Sequence, residues 1–287
     1  MRVIRSIAGM SGITREASLK NKSIGFVPTM GALHLGHLNL IRQARKENDI
    51  VAVSIFVNPT QFGPQEDFRR YPRPLEKDIS LCRKEGVDFV FLPEAKDMYP
   101  QGFKTYVTVE GLSGLLCGRT RPGHFRGVAT IVTKLFNIIN PSVAYFGQKD
   151  AQQAIIIKRM VEDLNMAVKI KVMPTVREKC GLALSSRNLY LNPGEKEDAL
   201  VLSQALSLAR RLIQAGTKDA SKLIGPMRQL INKKKTAKIN YVSIVDSCSL
   251  KPMKQIAGGC LIVLAVWIGK TRLIDNILIK RGRFLNS

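Results

Sequence analysis

The chain has 287 residues, of which 45% are hydrophobic and 23% are charged. These proportions are typical of a globular protein and exclude disordered, collagen-like and coiled-coil chains. Lys and Arg number 45 against 22 Asp and Glu, so the formal net charge is +23. Such an excess of positive charge either coats the surface for solubility or indicates a polyanionic partner, such as nucleic acid or a phosphorylated substrate.

Hydropathy and cysteine usage indicate a cytoplasmic protein without a membrane span. The longest apolar stretch, residues 260–268, is shorter than the roughly 20 residues of a membrane-spanning helix and predicts one or two buried strands. The N-terminal residues lack the apolar run and cleavage site of a signal peptide. The five cysteines are scattered without a CxxC pair, which predicts reduced thiols and no structural zinc site.

Strand-like and helix-like segments alternate through the first 176 residues, and a Gly- or Pro-bearing loop follows each strand. The predicted strands are 24–27, 51–57, 89–92, 142–146 and 168–173, and the predicted helices are 38–47, 75–85, 128–139 and 151–164. This alternation predicts an α/β fold with a Rossmann-like, doubly wound parallel sheet. Ligands of such sheets bind beyond the carboxyl ends of the strands.

The pattern changes after residue 176. One long helix is predicted at 195–215 and a second at 220–232, followed by strands at 239–245, 261–268 and 271–276. Helices followed by neighbouring strands are typical of an α+β arrangement. The sequence therefore predicts two domains, a Rossmann-like domain over residues 1–176 and a smaller C-terminal α+β domain over residues 177–287.

The most informative segment is PTMGALHLGH, residues 28–37, which follows the first predicted strand and leads into a helix. Gly31 allows a sharp turn, and Gly36 allows close approach of a ligand or a neighbouring chain. His34 and His37 are three residues apart, so they lie on one face of a helical turn. Two imidazoles beside the positive end of a helix can donate to the oxygens of a triphosphate. The alternative is a glycine turn with incidental histidines.

Four further polar loops carry side chains suited to binding anions. NPTQFG contains Gln61, TRPGHFRG contains His124 between two arginines, GQKDAQQ contains Lys149, and LSSRN contains two hydroxyls and an arginine. Arginine and lysine suit carboxylate and phosphate groups, and a glutamine amide can both donate and accept. Each loop taken alone is equally compatible with a solvent-exposed turn or a helix cap.

Together these segments resemble the pantoate–β-alanine ligase family over roughly residues 24–276. The motifs PTMGALHLGH, FVNPTQF, YPR, RPGHFRGV, FGQKDAQQ, TVRE, GLALSSRN and GKTRLIDN occur in the order and spacing of that family. The family belongs to the HxGH nucleotidyltransferase superfamily, which is related to class I aminoacyl-tRNA synthetases. The resemblance implies an ATP-dependent condensation of (R)-pantoate with β-alanine through a pantoyl adenylate, which releases AMP and diphosphate.

The resemblance also implies a role for each matching residue. His37 is the expected proton donor, His34 contacts phosphate and Lys149 completes the catalytic group. Gln61 and Gln153 are expected to bind substrate, and Asp78 is expected on the side of a magnesium ion. The ATP-binding residues implied are Met30, Gly31, Ala32, Leu33, His34, Leu35, Gly36, His37, Gly147, Gln148, Lys149, Asp150, Val176, Leu184, Ser185, Ser186 and Arg187. The family further implies Mg²⁺ and a homodimer.

Three positions depart from the family pattern, and two other functions stay open at this point. Leu35 stands where an acidic residue is common, Gln148 replaces a frequent Glu, and Cys180 replaces the usual Asp. Another HxGH nucleotidyltransferase would share the two histidines but not NPTQF or RPGHF. A nucleic-acid-binding protein would explain the charge of +23, but no aromatic RNA-binding motif accompanies the basic residues.

Overall fold

The computed structural model describes residues 1–64, 66–256, 258–280 and 283–285. The chain divides into two compact units. The N-terminal unit contains Met1–Gly114, Gly118–Gly147 and Gln153–Met173, and the C-terminal unit contains Leu115–Cys117, Gln148–Gln152 and Pro174–Ser287. Within the described ranges, no helix is both long and apolar enough to span a lipid bilayer.

The N-terminal unit is built on a six-stranded parallel sheet, which confirms the predicted α/β fold. Its strands are β1 (Arg2–Ile4), β2 (Ile24–Thr29), β3 (Ile50–Ile55), β4 (Phe89–Phe91), β5 (Val143–Gly147) and β6 (Lys169–Met173). The strand order is β1-β4-β3-β2-β5-β6. The order reverses between β2 and β5, and open sheets of this kind bind ligands at such a switch point.

Helices connect these strands. They are α1 (Ile7–Leu19), α2 (Leu35–Glu47), α3 (Leu75–Lys84), α4 (Ala95–Met98), α5 (Cys117–Thr120), α6 (His124–Ile139) and α7 (Ala151–Asp163). Short 3₁₀ turns lie at Pro59–Gln61 and Gln148–Asp150. Ile41 and Ala44 of α2 are fully buried and share one hydrophobic cluster with Val27, Val53 and Val90 of the sheet. Their three-residue spacing places both helix residues on the face that meets the strands.

The C-terminal unit combines helices with an antiparallel sheet, which confirms the predicted α+β arrangement. Its elements are a 3₁₀ turn at Ser186–Tyr190, α8 (Pro193–Ala199), α9 (Val201–Gln214), α10 (Ala220–Asn232), β7 (Ala237–Asp246), β8 (Cys260–Ile268), β9 (Thr271–Lys280) and β10 (Arg283–Leu285). The strand order is β10-β9-β8-β7. The apolar stretch 260–268 forms the single buried strand β8, and its even-numbered residues share a core with α9 and α10.

The element prediction differs from the structure at several points. The elements α4, α5 and β10 were not predicted, and α6 begins at His124 rather than at residue 128. The strand β1 and the helix α1 were not predicted, although β1 pairs with β4 at the edge of the sheet. The helix expected at 195–215 is two helices that meet at Leu200, whose amide bonds the carbonyl of Glu197, only three residues back. The helix α2 begins at Leu35 rather than at residue 38, so His37 lies inside its first turn.

Candidate active site

The two histidines of HLGH cap the N-terminus of α2. His34 is the N-cap, and its Nδ1 accepts the amide hydrogen of Gly36 at 3.2 Å. The Nδ1 of His37 accepts the amide hydrogen of His34 at 3.3 Å. The two ring centroids lie 4.1 Å apart. A nitrogen that accepts an N–H carries no proton, so the remaining proton of each neutral ring is on Nε2.

Gly36 is needed for this arrangement. A Cβ at Gly36 would lie 2.9 Å from the Cε1 atom of the His34 ring, which is closer than van der Waals contact permits. The glycine therefore allows the imidazole of His34 to fold back over the first turn of α2. The sequence predicted that a ligand or a neighbouring chain approaches Gly36 closely. In the structure, the group that approaches Gly36 is the ring of His34, a catalytic candidate of the same chain.

The loop before α2 is held by a buried carboxylate. Gly31 and Ala32 both have positive φ, +86° and +50°, and the left-handed region is unfavourable for a residue with a Cβ such as Ala32. The oxygens Oδ2 and Oδ1 of Asp78 accept the amide hydrogens of Ala32 and Leu33, each at 2.8 Å. Successive amides that converge on one anion form a nest, and Asp78 fills it.

This contact bears on the role expected for Asp78. Its side chain is 1% exposed, and each carboxylate oxygen already accepts a backbone amide. Burial raises the pKa of the carboxyl group, while the two amide hydrogen bonds oppose that rise. The geometry assigns Asp78 to holding the loop, and metal coordination by this residue stays a prediction.

Gln61 lies in a second polar loop, which follows β3. Its amide nitrogen donates to the sulfur of Met30 at 3.1 Å, so two predicted segments meet within the N-terminal unit. Asn58 donates from Nδ2 to Gln61 Oε1 and to the carbonyl of Gly127, both at 3.1 Å. Tyr99 donates to Asn58 Oδ1 at 2.7 Å. Asn58 and Tyr99 were not predicted, and only Asn58 had a signal in the sequence, since it directly follows a strong strand.

The RPGHF segment supports the same loop. His124 Nδ1 lies 2.8 Å from the carbonyl oxygen of Gln61, and Arg121 Nη1 lies 2.9 Å from His124 Nε2. Because arginine can only donate, Nε2 accepts and Nδ1–H donates to Gln61. Glu66 bonds the same guanidinium at 2.6 and 2.7 Å. Burial alone would raise the pKa of Glu66, but Arg121, with smaller contributions from His124 and the backbone of Gly63, leaves that pKa below its ordinary value.

The C-terminal unit contains the other residues expected at ATP. Lys149 lies in a 3₁₀ turn, and its ammonium group is 3.4 Å from the carboxylate of Asp150. Leu184 donates its amide to the carbonyl of Val176 at 2.9 Å, which closes a short hairpin. The Ser185 hydroxyl caps the following 3₁₀ turn by accepting the amide of Arg187 at 3.3 Å.

The predicted site residues are thus divided between the two units. The N-terminal unit holds Met30–His37, Gln61, Asp78, Gly147 and Gln153, and the C-terminal unit holds Gln148–Asp150, Val176 and Leu184–Arg187. The replacements noted in the sequence lie in both units. Leu35 is an exposed first residue of α2, Gln148 is buried, and Cys180 is exposed. Cys180 lies in the turn of the short hairpin, with its sulfur 3.8 Å from Glu178 Oε2.

A doubly wound sheet whose inner strand leads into HLGH at a helix N-terminus defines an α/β enzyme of the HxGH class. Residues 2–278 match the family model described as pantoate-beta-alanine ligase. The chain belongs to the pantoate–β-alanine ligase family. The resemblance stated from the sequence is therefore confirmed, and the comparisons support the ligase rather than another nucleotidyltransferase or a nucleic-acid-binding protein.

Relatives match along nearly their whole length. Pantothenate synthetase of Moorella thermoacetica is 55% identical over 280 residues, which cover 98% of this chain and 99% of the relative. The crystal structure of pantothenate synthetase from Thermus thermophilus has a TM-score of 0.91 and 44% identity, with coverage of 96% and 98%. Pantoate-beta-alanine ligase from Francisella tularensis, complexed with beta-gamma ATP and beta-alanine, has a TM-score of 0.80 and 38% identity, with coverage of 97% of both chains.

Replacing Gly127 tests how closely α6 packs on the Gln61 loop. A Cβ at Gly127 would lie 2.4 Å from the carbonyl oxygen of Thr60 and 2.7 Å from the amide nitrogen of Gln61. We expect Gly127→Ala to lower the free energy of unfolding by about 1–3 kcal/mol in urea denaturation. Gly12→Ala is the matched control, because Gly12 lies in α1 with open space around it and alanine there gains about 0.5–1 kcal/mol. Equal behaviour of the two variants would contradict the close packing.

Replacing Asp78 tests the nest. In Asp78→Asn one oxygen becomes an NH₂ group, which faces a backbone N–H and leaves a buried donor unpaired. We expect a loss of about 1–3 kcal/mol in the free energy of unfolding, measured by urea denaturation. Glu76→Gln, at an exposed position in the same first turn of α3, should change stability little. A stable Asp78→Asn variant would show that the nest does not need a carboxylate.

Proposed function

We propose that the protein condenses (R)-pantoate with β-alanine to form pantothenate, through a pantoyl adenylate and with ATP as substrate. Membership of the pantoate–β-alanine ligase family supports the overall reaction. The Francisella ligase, complexed with beta-gamma ATP and beta-alanine, supports both substrates. The observation that carries the proposal is the histidine pair at the N-terminus of α2, in which Nδ1 of each ring accepts a backbone amide beside a helix end that attracts anions.

The adenylation step brings two anions together. A carboxylate oxygen of pantoate attacks the α-phosphorus of ATP, the bond from that phosphorus to the β-phosphate oxygen breaks, and diphosphate leaves. Negative charge grows on the phosphate oxygens in the transition state, and fixed donors stabilise it most effectively. We assign this role to His34, His37 and Lys149, with Arg187 as a further cation. His37 is the proton donor in this assignment.

The second step forms the amide bond. The neutral amine of β-alanine attacks the carbonyl carbon of the adenylate, the bond to the phosphate oxygen breaks, AMP leaves and the amine loses a proton. Positioning supplies much of the rate in a reaction between two bound substrates. We assign pantoate to Gln61 and Gln153, and β-alanine to Gln61. The hydrogen bonds of Gln61 to Met30, Asn58 and His124 hold this loop in one geometry.

In this proposal, Mg²⁺ binds to the protein as a complex with ATP. The described residues contain no group of three His, Cys, Asp or Glu placed to hold a metal ion. Mg²⁺ is usually held by phosphate oxygens and water with one or two carboxylates. Asp78 fits poorly as such a ligand, because it is only 1% exposed and both of its oxygens already accept backbone amides. The ATP phosphates are therefore the main ligands in our proposal.

Three further features follow from the family and are proposed with it. The protein is a homodimer, it works in the cytoplasm, residues 1–176 form the nucleotide- and pantoate-binding domain, and residues 177–287 act as a lid domain. The free cysteines, of which Cys82, Cys117 and Cys260 are buried, fit a reducing compartment. The molar mass from light scattering would test the homodimer. A smaller radius of gyration in the presence of ATP would support closure of the lid domain.

Removing His37 or Lys149 tests the assignment of charge stabilisation. We expect His37→Ala and Lys149→Ala each to lower the rate of AMP release by about 100- to 1,000-fold while the protein remains folded. Asn39→Ala in α2 and Lys158→Ala in α7 are the matched controls, and both should stay active. Near-full AMP release by either test variant would remove that residue from the catalytic group.

Chelation tests the proposed route of magnesium. With EDTA in excess, we expect pantothenate formation to stop, because free ATP replaces the metal complex. The melting temperature of the ATP-free protein should not change, since the chain itself holds no metal in this proposal. A drop in that melting temperature would instead indicate a resident metal site.

A further inference from the structure

Two consecutive polar residues are buried in the middle of β9. Asp275 and Asn276 are each 2% exposed, in a strand that otherwise contributes apolar side chains to the core of the C-terminal unit. Buried polar groups are costly unless they are hydrogen-bonded. Neither residue belongs to the catalytic group or to the ATP-binding residues assigned above, so the partners of each side chain indicate what it does.

Asn276 is bonded to the turn that carries Lys149. Its Nδ2 donates to the carbonyl oxygens of Gln148 and Lys149, both at 3.0 Å. Its Oδ1 accepts a hydrogen from Gln148 Nε2 at 3.0 Å. The orientation of the amide follows from these partners, because a flipped amide would place its oxygen against two carbonyl oxygens. One side chain therefore fixes the two peptide groups on either side of the Lys149 Cα.

Asp275 is bonded to the other segment assigned to ATP in this unit. Its carboxylate accepts hydrogen bonds from both terminal nitrogens of Arg177, at 2.6 and 2.9 Å. Arg177 directly follows Val176, donates to the carbonyl of Gly181 at 3.1 Å, and pairs with Ala183 in the short hairpin. A two-pronged pair of this kind fixes orientation as well as distance. The Arg177–Asp275 pair therefore fixes the position of the short hairpin, and residues Leu184–Arg187 directly follow that hairpin.

The hydrogen bonds of Asn276 and those of Asp275 indicate a common function. Successive residues of a strand face opposite sides, so one step of β9 reaches the Lys149 turn with Asn276 and the Val176 hairpin with Asp275. Side chains on a strand hold a site more precisely than loops do. We infer that Asp275 and Asn276, with Arg177, are positioning residues for ATP, which set the relative placement of the two nucleotide segments of the C-terminal unit. This inference rests on the proposed function.

Substitution of Asn276 or of Arg177 should mainly weaken the binding of ATP. We expect Asn276→Ala and Arg177→Lys each to raise the KM for ATP by about 10- to 100-fold, the loss typical of a misplaced binding group. The KM for β-alanine should be unchanged. Lysine keeps the positive charge of Arg177 but not its planar fork, so an effect in Arg177→Lys reports on orientation. Because Arg177 is only partly buried, this variant keeps the test valid if Asn276→Ala folds poorly.

The control separates positioning from a general loss of stability. Asp219 caps α10 in the same unit by accepting the amides of Ser221 and Lys222, and these capping bonds stay within the first turn of that helix. Asp219→Ala should lower the melting temperature through the lost cap and leave the KM for ATP unchanged. An equal rise in that KM in Asp219→Ala would overturn the positioning role.

A double substitution tests whether Asn276 acts through Lys149. If it does, Lys149→Ala combined with Asn276→Ala should lose no more activity than Lys149→Ala alone. Additive losses would overturn the inference for Asn276. Failure of the proposed function is distinguishable, because the parent protein would then form no pantothenate. A parent that forms pantothenate, together with variants whose KM for ATP is unchanged, would overturn this inference alone.

Discussion

The hydrogen bonds from two successive amides to the buried carboxylate of Asp78 support the whole N-terminal part of the site. They hold Ala32 in a left-handed conformation that its own side chain disfavours. That conformation turns the chain from β2 into α2 and places His34 at the helix N-terminus. The capping bonds of the two histidines then orient Nδ1 of each ring towards the backbone. A local strain of this kind persists only where surrounding groups overdetermine it.

The same physical device recurs away from the histidines. Asn58 and Asn276 are buried amides, and each bonds both a backbone carbonyl and the side chain of a glutamine. In each case a side chain on or beside a strand holds a loop, and the loop carries a residue assigned to substrate. Buried amides left unpaired would cost free energy, so each network favours a single loop geometry. A preorganised site of this kind needs no rearrangement as charge develops.

The sequence predicted the central elements well because their signals are local. Residues 51–57 are apolar apart from Ser54, residues 260–268 are apolar throughout, and the two runs supply the buried strands β3 and β8. The first strand β1 was missed because it has only three residues and lies at the edge of the sheet, where pairing with β4 rather than pattern stabilises it. The helix predicted at 195–215 divides at Leu200, although the hydrophobic pattern continues through it.

The candidate site was predicted from residue types and from family resemblance, and the supporting residues were not. Asp78 was identified, but its expected partner was a metal ion, whereas its carboxylate bonds the amides of Ala32 and Leu33, 46 and 45 residues away. Tyr99 bonds Asn58 across 41 residues. A hydrogen bond between distant segments leaves no periodic trace in a sequence. Asp275 and Asn276 likewise belong to the GKTRLIDN motif, yet only their partners indicate a role.

By itself, the sequence determined the alternation of strands and helices, the family, and the identity of the residues able to donate to phosphate, because these depend on residue type and local order. The tertiary structure decided which nitrogen of His34 and of His37 accepts a backbone amide and which carboxylate is used inside the fold. It also decided which strand residues hold the nucleotide segments of the C-terminal unit. These properties depend on distances between atoms, most of them in residues far apart along the chain, and only packing brings such residues within hydrogen-bonding range.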